Sequence, residues 1–204
     1  RHIRDDILEF DLTAALRKNG IPVVQKDVNV EAFDHFFTGE FLRFVKGRIS
    51  GHLQELKERA GTEEELKLKE LLNQFQYLDL AYHNRKVLRA KEIMRSEEFY
   101  NVDKYEWALN SFREIMEYIS VAYFPASINF YPVESNLNVY RPWVSDDLLK
   151  ASEDTKVNIY IDLCKQLVFP EVDKERPDVV GISIGTPIQL MSGITFCRLL
   201  KQKY

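Results

Sequence analysis

Apolar residues recur every three or four positions through the middle of the chain. In EFLRFVKGRISGHLQEL, Phe41, Leu42, Val45, Ile49, Leu53 and Leu56 fall on one helical face. Gly61-Thr62 breaks this stripe, and Thr62 with Glu65 three residues on makes a capping box that starts a second helix. Leu66, Leu68, Leu71, Leu72, Phe75 and Leu78 continue that helix, which the pattern extends as far as Met94. Asp103 and Glu106 give a similar start signal for a third, with Trp107, Ala108, Phe112, Ile115, Met116 and Ile119 on one stripe. YFPASINFYPVESNLNVYRPW then brings three prolines among many aromatics, which predicts an extended connection rather than a helix.

The two flanks read differently. In DDILEFDLTAALRKNG, Ile7, Leu8, Leu12, Ala15 and Leu16 share a helical face, and Lys18 and Gly20 mark its C-terminal end. The β-branched IPVVQKDVN predicts a strand directly after it. Near the other end, Ser145 with Asp146 and Asp147 signals a helix N-terminus, and a helix is expected through Ile159, Leu163 and Leu167. PDVVGISI is a nearly unbroken apolar run, the pattern of a parallel strand covered on both faces. IQLMSGITFCRLLKQ reads as its crossover helix, with Leu190, Ile194, Cys197 and Leu200 expected against the sheet.

The expected architecture is therefore α/β: part of a doubly wound, Rossmann-like parallel sheet carrying a large helical insertion. Residues 1–30 supply the first helix and strand, 31–150 the helical, aromatic-rich insertion, and 151–204 a strand–helix part incomplete on its C-terminal side. Two confident strands are too few for a stable parallel sheet, so the pattern implies membership in a larger α/β domain.

Composition narrows the class without naming a chemistry. The 204 residues are 45% hydrophobic and 29% charged, ordinary for a globular chain. The net charge of −4 offers no basic footprint for nucleic acid, and no apolar run reaches the length of a membrane span. The first residues, RHIRDDILEF, lack the apolar core of a signal peptide. Only Cys164 and Cys197 occur, which predicts two reduced, buried thiols in a cytoplasmic protein. No P-loop, zinc motif or nucleophile elbow is found, and no catalytic or metal-ligating residue is assigned. The acidic and lysine-bearing TEEELKLKE and the basic YHNRKVLRAKEIMR read as solvated helix faces.

RPDVVGISIGTPIQLMSGITFCRLLKQ resembles the third strand and following helix of the cobalamin-binding domain that precedes the catalytic domain in a class of radical S-adenosylmethionine enzymes. DLTAALRKNGIPVVQKDVNVEAFDHF resembles the first helix and second strand of the same domain, with Asp27-Val28-Asn29 at the strand end. AYFPASINFY resembles the long insertion of one subgroup. The resemblance touches widely separated parts of the chain in the matching order.

What the resemblance implies is a corrinoid-binding region at the front of a radical enzyme, transferring a methyl group or tuning a radical step. Ser183 and the Gly185-Thr186-Pro187 loop, with Gln189 nearby, would contact the corrin or its nucleotide tail. Small residues let a bulky ring approach the backbone, and the hydroxyls add hydrogen bonds without bulk. Cobalamin is the implied cofactor. The 4Fe–4S cluster and S-adenosylmethionine belong to the remainder of the parent chain, which is the implied partner.

The sequence departs from the wider cobalamin pattern in carrying no Asp-x-His-x-x-Gly. Asp34-His35 is followed by Phe36-Phe37-Thr38-Gly39, with the wrong spacing, so the resemblance implies a cobalt without a histidine from this chain. The three-cysteine cluster motif is absent as well. A second reading stays open: a helical interaction or regulatory module with no cofactor.

Overall fold

The computed structural model describes residues 12–58, 61–128, 135–136, 139–141 and 143–204. Residues 12–18 form α1, which ends at Gly20 in the left-handed region at φ +74. The helices α2 (Val28–Phe36), α3 (Gly39–Lys57), α4 (Glu63–Gln76), α5 (Leu80–Met94) and α6 (Val102–Ala122) follow. A two-residue antiparallel pair, β1 (Ser127–Ile128) with β2 (Ser135–Asn136), precedes α7 (Ser145–Ala151), α8 (Ile159–Leu163), α9 (Phe169–Glu175) and α10 (Leu190–Lys203).

Polar start signals set these boundaries. Asp27 accepts from the Asn29 and Val30 amides, Thr38 from Phe41, and Asn101 from Lys104. The Thr62–Glu65 capping box forms as expected. The long helix expected through Met94 is two helices, because Asp79 accepts from the Ala81 and Tyr82 amides and begins α5 anew. The start of α6 is capped by Asn101 rather than by Asp103. Ser145 opens α7 without a side-chain cap, and residues 152–158 separate α7 from α8.

α5 packs along α6, and α3 along α4 and α6, while α10 lies on α7 and α8. The core contains Phe36, Phe41, Leu42, Val45 and Ile49 against Ile115, Tyr118, Ile119 and Tyr123, joined by Ile159 and Leu163. Between α8 and α9 the helix widens into a π-helical turn over Cys164–Val168. Pro170 supplies the reason: it has no N–H for the carbonyl four residues back, and its ring collides with that carbonyl in a regular helix. A charged network ties the layers together. Arg48 of α3 and Tyr123 at the end of α6 both donate to Asp162 Oδ2, at 3.1 and 2.8 Å, and the guanidinium lies 4.2 Å from the centre of the Tyr123 ring.

The α/β expectation is overturned. Among the described residues the chain is helical, and its one strand pair is short and antiparallel; no parallel sheet forms. Segments 21–27 and 179–185, expected as strands, take no regular secondary structure, and neither joins a ladder among the described residues. Val179 is 83% exposed, where a strand covered on both faces was expected. The physical reason is that a strand needs an adjacent strand to complete its ladder, and among the described residues neither segment has one. The face expected of the first helix is not buried either: Leu12 is exposed, while Ile7 and Leu8 lie outside the described residues. Trp107, expected on the buried stripe of α6, is partly exposed. Cys164 is buried and Cys197 exposed, so the expectation of two buried thiols holds for one of them.

Candidate functional site

The residues singled out from the sequence all lie in one turn. The extended segment 179–185 leads into a single 3-10 turn at Pro187–Gln189 and then into α10. Ser183, Gly185, Pro187 and Gln189 are exposed, and Thr186 is half-buried. Pro187 sits at the first turn, where its missing N–H is not needed and its fixed φ suits the helical entry. Gln189 folds back, and its Oε1 accepts from the amides of Gly185 at 2.7 Å and Thr186 at 3.2 Å. Thr186 and Gln189 thus form a reciprocal capping box. The Ser183 hydroxyl has no hydrogen-bond partner among the described residues.

Two features that sequence reasoning did not find hold this turn in place. Gly193 of α10 faces the extended segment; a Cβ there would lie 2.7 Å from Ile184 Cγ1 and overlap the end of that side chain. Strand-like segment and helix therefore touch closely although no sheet surrounds them. Asn158 anchors the helix from below. Its buried Nδ2 donates to the Ala151 carbonyl at 2.9 Å and to Thr195 Oγ1 at 3.0 Å, and its Oδ1 accepts from the Tyr160 amide. Arg198 adds a bond to the Ser152 carbonyl at 2.8 Å. Phe196 and Leu200 complete the seat, whereas Cys197, expected on the buried face, points outward. An asparagine directly before an apolar run is a cap signal, and on that ground Asn158 was legible; nothing in the sequence marked Gly193 apart from other glycines.

The histidines lie elsewhere. His35 Nε2 is 2.6 Å from Gln166 Oε1, at a cleft of about 500 Å³ lined also by Glu40, Phe44 and Leu167. Burial lowers the pKa of His52 below its ordinary 6.5, and the neighbouring Arg48 and Lys156 lower it further. His83 is lowered by burial as well, with the Glu114 carboxylate 3.9 Å away opposing the shift. His2 lies outside the described residues. Among the described residues no group of three or more His, Cys, Asp or Glu is placed to hold a metal ion.

The basic stretch on α5 has its charges largely matched. Lys86 pairs with Glu114, Arg89 with Glu92 and Glu98, and Lys91 and Arg95 with Asp34. A shallow groove of about 310 Å³ beside it is lined by Arg89, Ile93, Asp103, Lys104 and Trp107. No described helix is long and apolar enough to cross a membrane.

A corrinoid can be tested against the turn by its shape. A Cβ built at Gly181 would meet nothing within 4 Å, Gly185 is exposed, and the Ser183 hydroxyl has no partner among the described residues. The turn is an open surface with room for the edge of a ligand. No family model, curated protein or solved structure matches this chain.

Proposed function

We propose that this chain is the corrinoid-contacting region of a radical S-adenosylmethionine enzyme, acting in the cytoplasm. The observation that supports this reading is the exposed Ser183–Gln189 turn, formed between an extended apolar segment and α10 without relying on a sheet. Its likeness to the cobalamin-binding sequence pattern gives the turn a ligand class. On this reading Ser183 and Gly185 meet the ligand edge, Thr186 and Gln189 hold the turn, and Gly193 keeps Ile184 close to the helix. Cobalamin, when bound, supplies a centre for methyl transfer or for tuning a radical step. The iron–sulfur cluster and S-adenosylmethionine are contributed by the remainder of the parent chain.

An absorbance titration with hydroxocobalamin tests the proposal, run on this chain and on its Ser183→Leu variant. Saturable spectral change with the chain, weakened by about tenfold or more in the variant, is the expected result, since a leucine removes a hydrogen bond and fills the approach. No spectral change in either refutes a corrinoid contact on this chain.

A second reading, a helical interaction module without a cofactor, is favoured by a different observation. Val179, Val180 and Ile184 of the segment and Ile188 of the turn are exposed apolar residues, the kind of surface that partners cover. In that case Val180→Asp abolishes capture of the partner while corrinoids leave the spectrum unchanged.

A further inference from the structure

The cleft where α2, α3 and the π-helical turn meet has the size of a small-molecule site, about 500 Å³, and His35, Glu40, Phe44, Gln166 and Leu167 line it. Its frame rests on contacts within the chain. Thr38, which caps α3, donates its hydroxyl to the His35 carbonyl at 2.8 Å and so ties the corner between α2 and α3. His35 Nε2 lies 2.6 Å from Gln166 Oε1, and because that oxygen only accepts, Nε2 carries the hydrogen. The imidazole centre is 4.9 Å from that of the fully buried Phe41 ring. The π-helical turn, a feature frequent at functional sites, brings Gln166 and Leu167 to the cleft. Two polar groups there are left without partners among the described residues. Gln166 gives its Oε1 to His35, and both hydrogens of its Nε2 remain free. Glu40 makes no ion pair, whereas Glu31 and Asp34 of α2 pair with Lys26 and with Lys91 and Arg95. Phe44 and Leu167 supply apolar walls, each partly buried against the core.

We propose that this cleft binds a small organic cation of the arylalkylamine class, with its ammonium on Glu40, its ring against Phe44 and Leu167, and a ring oxygen accepting from Gln166 Nε2. Charge sets the sign of the ligand: Glu40 is a carboxylate, and no lysine or arginine is among the lining residues. The flat Phe44 ring favours an aromatic body, which packs on it in an offset or edge-on arrangement. The free amide hydrogens of Gln166 then select a hydroxyl or carbonyl oxygen over a bare ring. His35 does not meet the cation. It is the positioning residue, holding the Gln166 amide by its oxygen so that the nitrogen is left for the ligand. The site shares no residue with the proposed corrinoid contact and stands apart from it.

The experiment is a titration of the chain at neutral pH, followed through its backbone amide resonances, with probes of matched size. Tyramine carries the ammonium, the ring and the hydroxyl; 4-ethylphenol lacks the cation; 3-(4-hydroxyphenyl)propionate replaces it with an anion. Tyramine is expected to saturate at millimolar concentration and to shift the amides of Glu40, Phe44 and Gln166. The phenol binds about tenfold more weakly and the propionate more weakly still. Glu40→Gln, at an exposed position, lowers tyramine to the level of 4-ethylphenol and leaves the phenol itself unchanged. Tyramine also binds about threefold more tightly than 2-phenylethylamine, an advantage lost in Gln166→Leu. No saturable shift, equal binding of the three probes, undiminished tyramine binding in Glu40→Gln, or shifts that map away from the cleft each overturn the proposal. An advantage over 2-phenylethylamine that survives in Gln166→Leu overturns the role given to Gln166.

Discussion

Helix α3 and segment 179–185 both carry a set of large apolar residues, and the two sets reach opposite environments. Phe41, Leu42, Val45 and Ile49 of α3 are fully enclosed, whereas Val179, Val180 and Ile184 stay largely exposed. A helix satisfies its own backbone groups along most of its length, so its apolar stripe needs only another stripe to pack on. An extended segment satisfies none of them by itself and needs a neighbouring strand as well as a cover. The helical stripes found each other within this chain. Among the described residues the strand-like run joins no ladder; Ile182 packs against the core, and Ile184 rests on α10 at Gly193.

The widest gap between the two regions should appear in unfolding experiments. Phe41→Ala empties a site with no exposure and is expected to destabilise the chain by about 3–5 kcal/mol in urea titration. Val179→Ala, by contrast, should stay within about 0.5 kcal/mol of the wild type. Equal losses at the two positions would mean that 179–185 is covered in solution.

Next in size is the network behind α3. Asp162→Ala leaves Arg48 without its carboxylate and Tyr123 without its acceptor, while the Arg48 Nε already has no partner. The pair retains side-chain exposures of 16% and 14%, so water tempers the loss. A destabilisation of about 2–3 kcal/mol is expected, below the range for fully buried pairs. Tyr123→Phe should lose only about 1 kcal/mol, the worth of its single hydrogen bond. A silent Asp162→Ala would remove this network from the account of how α3, α6 and α8 are held.

Gly193→Ala probes the contact between the two regions themselves. The added methyl overlaps the end of the Ile184 side chain, which can rotate away, so the expected loss of stability is about 1 kcal/mol. The sharper readout is local: amide exchange over residues 182–185 should rise while that of α3 and α6 stays unchanged. Uniform acceleration across the chain would instead make this contact part of the core.

The two cysteines give the smallest perturbation and a qualitative contrast. Burial pushes the Cys164 thiol up to about 12, so it stays a protonated thiol across the neutral range. Cys197 stands exposed on the outer face of α10. Iodoacetamide at pH 8 is expected to modify Cys197 alone, with Cys164 reacting only after denaturant is added. Modification of Cys164 in the native chain would show that the π-helical turn opens readily.

Several of these features were legible from the residues alone. The stripe from Phe41 to Leu53, the Thr62–Glu65 box and the end of α1 at Gly20 rest on contacts within a few residues, and all three formed. Local chemistry also offered caps that went unweighed: Asp79 divides one expected helix into two, and Asn101 rather than Asp103 begins α6. The sequence grouped Ser183, Gly185, Thr186, Pro187 and Gln189 into one loop, and they do share one turn. It did not assign Gln189 its place. An amide side chain beside a turn can face a ligand or fold back on the backbone, and only the path of the chain selects between them.

Spacing alone determined where helices form and which of their faces carry apolar groups, because those depend on neighbours three and four residues away. Tertiary structure decided the fate of each face. It enclosed Ile119 and left Leu12 outside, joined Arg48 to Asp162 across more than a hundred residues, and left PDVVGISI outside any ladder among the described residues. Pairing and burial require a partner distant in sequence, and a run of apolar residues states the need for one without supplying it.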